Sequence, residues 1–342
     1  MMISSGNDRD LFNIPKVELH CHLELAYRLA TMKAWAIEDG DLPEGCSDEE
    51  FKAKYMVLSP MNDLPTVLQK FLVTRDRIKS LERIERLTFE ACEDMYLISN
   101  VRILELRYAP SFVLEVYPEL GADRMHEAIM RGCARAEVKY PIAVGIICLL
   151  QRIKSVTENE YWADFAIERK GEILGIDLAD DEVNYPPEPF THIFQKAKSA
   201  GLGITVHAGE PNDPNASNNI LTSIEMLGAD RIGHGVQAIM DLKVIEVLRE
   251  SKIPLELCPT SNVLTKAVDS ADKHPIKRLF DLGVRTTLNS DDPGVMGITL
   301  MTEYEIAHNI LGMTLNELEK CNQWAMEASF ICKEKKAVVW PV

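Results

Sequence analysis

Val17-Glu18-Leu19-His20-Cys21-His22-Leu23 is a short apolar run carrying two imidazoles one residue apart. In a β-strand residues i and i+2 share a face, so both imidazoles can turn toward one point and meet one metal ion. Taken alone, such a pair is more often two satisfied polar side chains than a metal site. The ends of the other apolar runs discriminate between these readings.

Eight such runs can be picked out: Lys16 to His22, Val101 to Tyr108, Ile142 to Leu149, Ile173 to Leu178, Gly203 to His207, Arg231 to His234, Pro254 to Cys258 and Gly283 to Asn289. Segments of helical periodicity lie between most of them, among them Met125 to Val138, Pro189 to Ala200, Asn218 to Leu227, Asp241 to Glu250 and His274 to Leu282. Strands alternating with helices eight times predict an α/β fold of the (β/α)8 TIM-barrel type. The first connection is far longer than a normal crossover, at roughly 80 residues. It contains helical stretches at Glu49 to Tyr55, Asp63 to Phe71 and Ile78 to Tyr96, so a helical cap insertion is expected at about 25–98 within a single barrel domain spanning 1–342.

Composition limits the partners. The chain has 342 residues, 46% of them hydrophobic, which is enough for one large core, and its net charge of −16 with no basic stretch argues against nucleic acid as a partner. No stretch approaches the roughly 18 apolar residues of a membrane helix, and Met1 to Asp8 lack a basic segment followed by an apolar run. The eight cysteines are scattered with no CxxC pair, so reduced thiols and a cytoplasmic address are expected. Composition leaves the oligomeric state open.

In a barrel of this kind function sits on the loops after the carboxyl ends of the strands. Here those ends carry His20-Cys21-His22, Arg107-Tyr108, Arg152, Asp177, His207-Ala208-Gly209-Glu210, Gly233-His234-Gly235, Cys258-Pro259-Thr260-Ser261-Asn262 and Asn289-Ser290-Asp291-Asp292-Pro293-Gly294. His20, His22, His207 and Asp291 can supply the imidazole and carboxylate donors of a catalytic zinc site with one position left for water. Separately, His207 reads as an ordinary strand-end histidine and Asp291-Asp292 as a helix-capping pair; together, four coincidences would be required. Glu210 follows His207 across a glycine and can serve as proton shuttle, while His234 between two glycines can come close to a substrate. Arg107, Arg152 and Asp177 either face the substrate or pair with one another to hold the loops.

These motifs, in this order from about Ile14 to Ser329, resemble the adenosine deaminase family of the amidohydrolase superfamily, the branch that includes adenosine, adenine and AMP deaminases. The resemblance implies one zinc ion per chain and the hydrolytic deamination of a 6-aminopurine nucleoside, adenosine or 2′-deoxyadenosine, to the 6-oxo product plus ammonia. It implies zinc on His20, His22, His207 and Asp291, proton donation from Glu210 to purine N1, and orientation of the attacking hydroxide by His234. It also implies that Asp292 accepts a hydrogen bond from the N7 side, and that substrate contacts extend to Glu24, Asp177 and Asp180.

Two positions depart from the family pattern. Glu24-Leu25 stands where Asp-Gly is usual at the ribose end, and Asp180 where a glycine usually offers its N–H to purine N3. Both bear on the 5′ substituent and the exact purine, with 5′-methylthioadenosine and free adenine as the alternatives, and an apolar Leu25 is expected to favour a less polar 5′ group. The polynucleotide deaminases pair an H-x-E with a P-C-x-x-C signature, and this chain has no P-C-x-x-C. A different amidohydrolase would lack the purine-type motifs, and a non-catalytic relative would have lost a metal ligand or the proton shuttle.

Overall fold

The computed structural model describes residues 7–60 and 64–340. Eight parallel strands follow one another around a sheet in sequence order: β1 (Lys16–His22), β2 (Val101–Tyr108), β3 (Ala143–Gln151), β4 (Ile173–Ala179), β5 (Gly203–Ala208), β6 (Arg231–His234), β7 (Leu255–Leu257) and β8 (Thr286–Leu288). The fold is the expected (β/α)8 barrel. β1, β2 and β6 keep the bounds read from sequence, β3 runs on to Gln151, and β8 is only the centre of the run Gly283 to Asn289.

The shortness of β8 has a physical cause at the seam where the barrel closes on β1. There side chains replace the ladder: the Leu19 N–H donates to Asn289 Oδ1 at 3.0 Å and the Val17 N–H to Asn322 Oδ1 at 2.9 Å. The Glu18 carboxylate accepts from the N–H groups of His20 and Ser290 at 2.8 and 2.9 Å. Only at the carboxyl end does backbone meet backbone, where Asp291 N–H donates to His20 O (2.8 Å) and His22 N–H to Asp291 O (2.9 Å). A bulge between Glu18 and Cys21 shifts β1 by one residue against β2. Bulges of this kind re-aim side chains next to active sites.

Between β1 and β2 lie helices Leu29–Glu38, Asp48–Tyr55, Leu64–Arg75 and Leu81–Ser99. Three of them correspond to the helical stretches read in this connection; Asp63 and Met1 to Gly6 lie outside the described residues. Helix Leu81–Ser99 starts on a Ser80 side-chain cap and ends on Asn100 in the left-handed conformation, as capping chemistry favours. Helix Val156–Glu168 after β3 and the C-terminal helices Leu315–Ala328 and Lys333–Val339 were not singled out by periodicity. Among the described residues no helix is long and apolar enough to cross a membrane, and all eight cysteines are free thiols.

The outer faces of the strands pack in an aliphatic core against the helices, whereas the barrel interior is charged. Glu105, Arg107, Asp177, Arg231 and Glu256 all have no exposed surface. The amino-terminal end of the barrel is covered by Phe330, whose ring lies 3.8 Å beneath the Arg231 guanidinium. Gly203 makes room for it: a Cβ there would stand 2.5 Å from three atoms of the ring. Gly203→Ala is therefore expected to destabilise the protein by about 1–3 kcal/mol through overpacking, read as a lowered Tm. Adding Phe330→Ala should make the alanine at 203 much less costly, and equal costs in both backgrounds would contradict this packing.

Candidate active site

The three imidazoles His20, His22 and His207 meet above the charged interior. His20 and His22 share a face of β1, and their ring centroids are 5.4 Å apart. His207, from β5, lies 4.5 Å from the His20 ring and 5.3 Å from that of His22. Gly233 permits this approach, since a Cβ there would press on His20 Cε1 at 3.0 Å. Asp291 Oδ1 lies 3.3 Å from His20 Nε2 and 3.2 Å from His22 Nε2. The donor atoms of His20, His207, His234 and Asp291 all fall within 4.8 Å of one another.

The tautomers are set from below. Glu256 Oε2 sits 2.8 Å from His20 Nδ1, and Asp177 Oδ2 lies 3.0 Å from His207 Nδ1. Each carboxylate takes the Nδ1–H and leaves the Nε2 lone pair facing the centre, the arrangement that metal-binding histidines need. His20 Nε2 is buried without a hydrogen-bond partner, so a cation that displaces a proton from it would meet a donor committed to nothing else. Burial lowers the pKa of His207 well below the ordinary range and also lowers that of His22. Burial and Arg107 likewise lower that of His20, but the flanking carboxylates of Asp291 and Glu256 outweigh them and raise it to about 9. The carboxylates of Asp291 and Glu256 thus favour a positive charge at His20, and the set of neutral imidazoles and one carboxylate suits a divalent cation.

The neighbouring groups form a second chain of hydrogen bonds. The Ile276 N–H donates to His274 Nδ1 (3.3 Å), so the proton of His274 is on Nε2, 3.1 Å from Asn262 Oδ1. The Asn262 amide nitrogen then donates to His234 Nδ1 (3.1 Å), leaving the His234 proton on Nε2. That atom faces Glu210 Oε2 at 3.6 Å and Asp291 Oδ2 at 3.9 Å. Glu210 Oε1 accepts from Thr265 Oγ1 at 2.8 Å and Asn262 Nδ2 at 3.3 Å. Asp292 is buried with Oδ1 unpartnered, and burial together with Asp291 and Glu210 raises its pKa.

The remaining sequence-selected residues separate. Arg107 and Asp177 are a fully buried pair at 2.6 Å, beneath the imidazoles and away from the mouth. Asp177 is thereby corrected from a substrate contact to a partner of His207, because both of its oxygens are committed to Arg107 and that imidazole. Arg152 spends its guanidinium on the carbonyls of Tyr185, Leu178 and His207. Glu24 accepts from the Ala109 N–H at 2.8 Å, which ties the ends of β1 and β2 together. Leu25, beside Glu24, is buried among the apolar residues of the main core. Asp180 stands at the mouth with φ of 81°, a conformation natural to glycine.

Sequence reasoning passed over Glu256, Arg231, Glu105, Glu182, His274 and Thr265. A signal existed for Glu256 and Glu105: a charged residue between two leucines of a strand, as in Leu255-Glu256-Leu257 and Leu104-Glu105-Leu106, cannot be buried unpaired.

A parallel barrel with imidazoles and carboxylates gathered at the carboxyl ends of its strands belongs to the amidohydrolase type of deaminase. The adenosine deaminase family model matches residues 15–340. The chain is 35% identical over 320 residues to an adenosine deaminase of Plasmodium falciparum, covering 93% of this chain and 86% of that one. It is 33% identical to one from Clostridium acetobutylicum, covering 95% and 96%. Among solved structures, an adenine deaminase from Arthrobacter aurescens superposes with a TM-score of 0.85 at 26% identity, covering 95% and 96% of the two chains. An amidohydrolase from Burkholderia ambifaria with bound Zn gives 0.86 at 25%, covering 98% and 91%. The N6-methyl-AMP deaminase of Arabidopsis thaliana gives 0.81 at 27%, covering 97% and 96%. The chain belongs to the adenosine deaminase family, and it is a hydrolytic aminohydrolase.

One buried acid near the site carries a pH signature. Glu303 accepts from the Thr260 N–H at 2.9 Å at the start of helix Pro259–Leu264, which presents Asn262, and burial pushes its carboxyl up to about 8. Between the ordinary carboxyl value and about 8 the folded protein keeps a proton that the unfolded chain releases. That contribution to stability is complete below the ordinary value and is lost as the pH rises through about 8. Thermal denaturation should show Glu303→Gln gaining several degrees on the wild type between pH 5 and pH 8.5; a constant difference across that range would remove the basis for a buried protonated Glu303.

Proposed function

We propose that the protein is a zinc-dependent deaminase of uncharged 6-aminopurine nucleosides, with adenosine and 2′-deoxyadenosine as its substrates. The observation that carries this reading is the gathering of His20, His207 and Asp291 donors within 4.8 Å of one another, with His22 Nε2 3.2 Å from Asp291 Oδ1 and the Nδ1 atoms of His20 and His207 held by buried carboxylates. These four residues would hold one zinc ion. A bound divalent cation makes water acidic enough to supply a nucleophile near neutral pH.

Deamination adds water at C6, places a proton on N1 and releases ammonia. Glu210, steadied by Thr265 and Asn262, is assigned the proton for N1, which makes C6 more electrophilic. His234, with its proton on Nε2, orients the attacking oxygen and stabilises charge developing on it. Purine N7 in a nucleoside carries no hydrogen, so Asp292 is assigned as a protonated carboxyl that donates to N7 instead of accepting there. Asp180 offers its backbone N–H toward the purine, and Glu24 is the acidic group at the sugar end.

Charge supports a nucleoside over a nucleotide. Glu24 and Asp180 are acidic, and the cations at the strand ends are engaged: Arg107 by Asp177 and Glu256, Arg152 by three carbonyls, and Lys154 by Glu115 at 2.9 Å. A 5′-phosphate would meet repulsion without a counter-charge. An Arabidopsis relative of similar fold is complexed with IMP, so nucleotides belong in the test. The residues 25–98 cap the barrel in this reading, and the whole chain acts as one domain.

Ammonia release is to be measured on adenosine, 2′-deoxyadenosine, 5′-methylthioadenosine, adenine, AMP and N6-methyl-AMP, with zinc-loaded and chelated protein. Turnover is expected on the nucleosides, lost on chelation, and reduced about 10²- to 10⁴-fold in Glu210→Gln. Faster turnover of AMP than of adenosine would overturn the nucleoside assignment, and chelator-resistant turnover would overturn the metal.

A further inference from the structure

The Gly209-Glu210 turn has all four of its backbone polar groups engaged, and one side chain takes both N–H groups. Glu182 Oε2 accepts from the Gly209 N–H at 2.9 Å and Oε1 from the Glu210 N–H at 2.7 Å. On the other side Gln237 donates its N–H to Gly209 O (3.0 Å) and its side-chain amide to Glu210 O (3.3 Å). Glu182 is itself buried, 5% exposed, and Asn219 Nδ2 from helix Ala216–Glu225 donates to its Oε2 at 3.1 Å.

This arrangement answers a local need. Gly209 has φ of 72°, and the turn is packed so closely on Ile220 that a Cβ at Gly209 would come within 2.4 Å of its Cδ1. Such a turn directs two successive N–H groups to the same side, and buried donors left unpaired are costly. A carboxylate with two oxygens matches the pair, and because it is planar and bidentate it fixes their direction as well as satisfying them.

We propose that Glu182 is a positioning residue for deamination: through the paired N–H groups of Gly209 and Glu210 it fixes where the Glu210 carboxyl stands relative to the purine ring. The inference rests on the assignment of Glu210 as proton donor. A displacement of about 1 Å at a reacting group can cost two orders of magnitude in rate, so the clamp acts on kcat and spares substrate binding. Glu182 has no role in holding the metal, because none of the converging donors is among its partners.

The test compares Glu182→Ala, Glu182→Gln and Glu210→Gln, with adenosine as substrate and metal content measured on each. In Glu182→Ala both acceptors are lost; in Glu182→Gln one N–H is left facing an amide NH2 at nearly unchanged volume, so this variant carries the test should the alanine variant not fold. Both are expected to bind metal as wild type does, to lower kcat about tenfold to a hundredfold with KM within about threefold, and to speed hydrogen exchange at the Gly209 and Glu210 amides. Combining either with Glu210→Gln should lower kcat no further, because the clamp works only through Glu210.

Wild-type kcat and unchanged exchange in Glu182→Gln would overturn the proposal, as would additive losses in the double variant. Full activity in Glu210→Gln would instead overturn the assignment of the proton donor, whatever Glu182 does.

Discussion

Glu256 is the charge on which the site is built. Its carboxylate has no exposed surface, yet it meets His20 Nδ1 and Arg107 at 2.8 Å through one oxygen and Arg231 at 2.5 Å through the other. Burying one carboxylate alone in a barrel would be prohibitive, and the cost is offset only because opposite charges alternate inward. Arg107 passes from Glu256 to Asp177, and Asp177 to His207; Arg231 passes from Glu256 to Glu105, at 2.8 Å. The barrel interior is thus one chain of charges from its floor to the imidazoles. Removing any member leaves its neighbour as an uncompensated buried charge, which makes the orientation of His20 and His207 a property of the whole interior.

The same logic explains how the barrel closes. A β8 ladder of full length would complete the sheet with backbone alone, whereas here Asn289, Asn322 and Glu18 take over the donors of β1. This exchange frees the chain after β8 to turn sharply, so that Asp291 bridges back to His20 and His22 through its own N–H and carbonyl while its carboxylate stands among the imidazoles. The bond that seals the barrel also places the acid.

Strand alternation and helical periodicity were enough to read the barrel from sequence, because a parallel strand buried on both faces announces itself as an apolar run and its ends as polar interruptions. His20, His22, His207, Glu210, His234 and Asp291 were legible for that reason: each stands at the end of a run. Arg107 was visible but unassigned and Asp177 was read as a substrate contact, since an inward charge one turn of the pleat below the mouth has the same sequence signature as one that reaches the substrate. Glu182 and His274 were not legible. They act from loops on backbone groups and on a tautomer, and neither contact leaves a period or a composition in the chain.

Backbone strain marks the same places independently. Among the described residues six other than glycine have positive φ: Asn100, Asp180, His234, Lys252, Lys266 and Asp291. Asn100 and Lys252 are helix C-caps, and Lys266 follows the end of helix Pro259–Leu264, where a left-handed residue satisfies terminal carbonyls and needs no further account. The other three end no helix. Asp180, His234 and Asp291 stand at the carboxyl ends of β4, β6 and β8, and each holds a conformation that costs roughly 1–2 kcal/mol for a residue with a side chain. At His234 and Asp291 the surroundings over-determine the strain, through the Asn262 amide and the bridge to β1. At His234 and Asp291 the left-handed residue leaves the two side chains 3.9 Å apart, with the His234 ring 4.7 Å from that of His20 and 5.1 Å from that of His207. That conformational cost, met at two strand ends, adds His234 and Asp291 to the imidazoles that β1 and β5 already present.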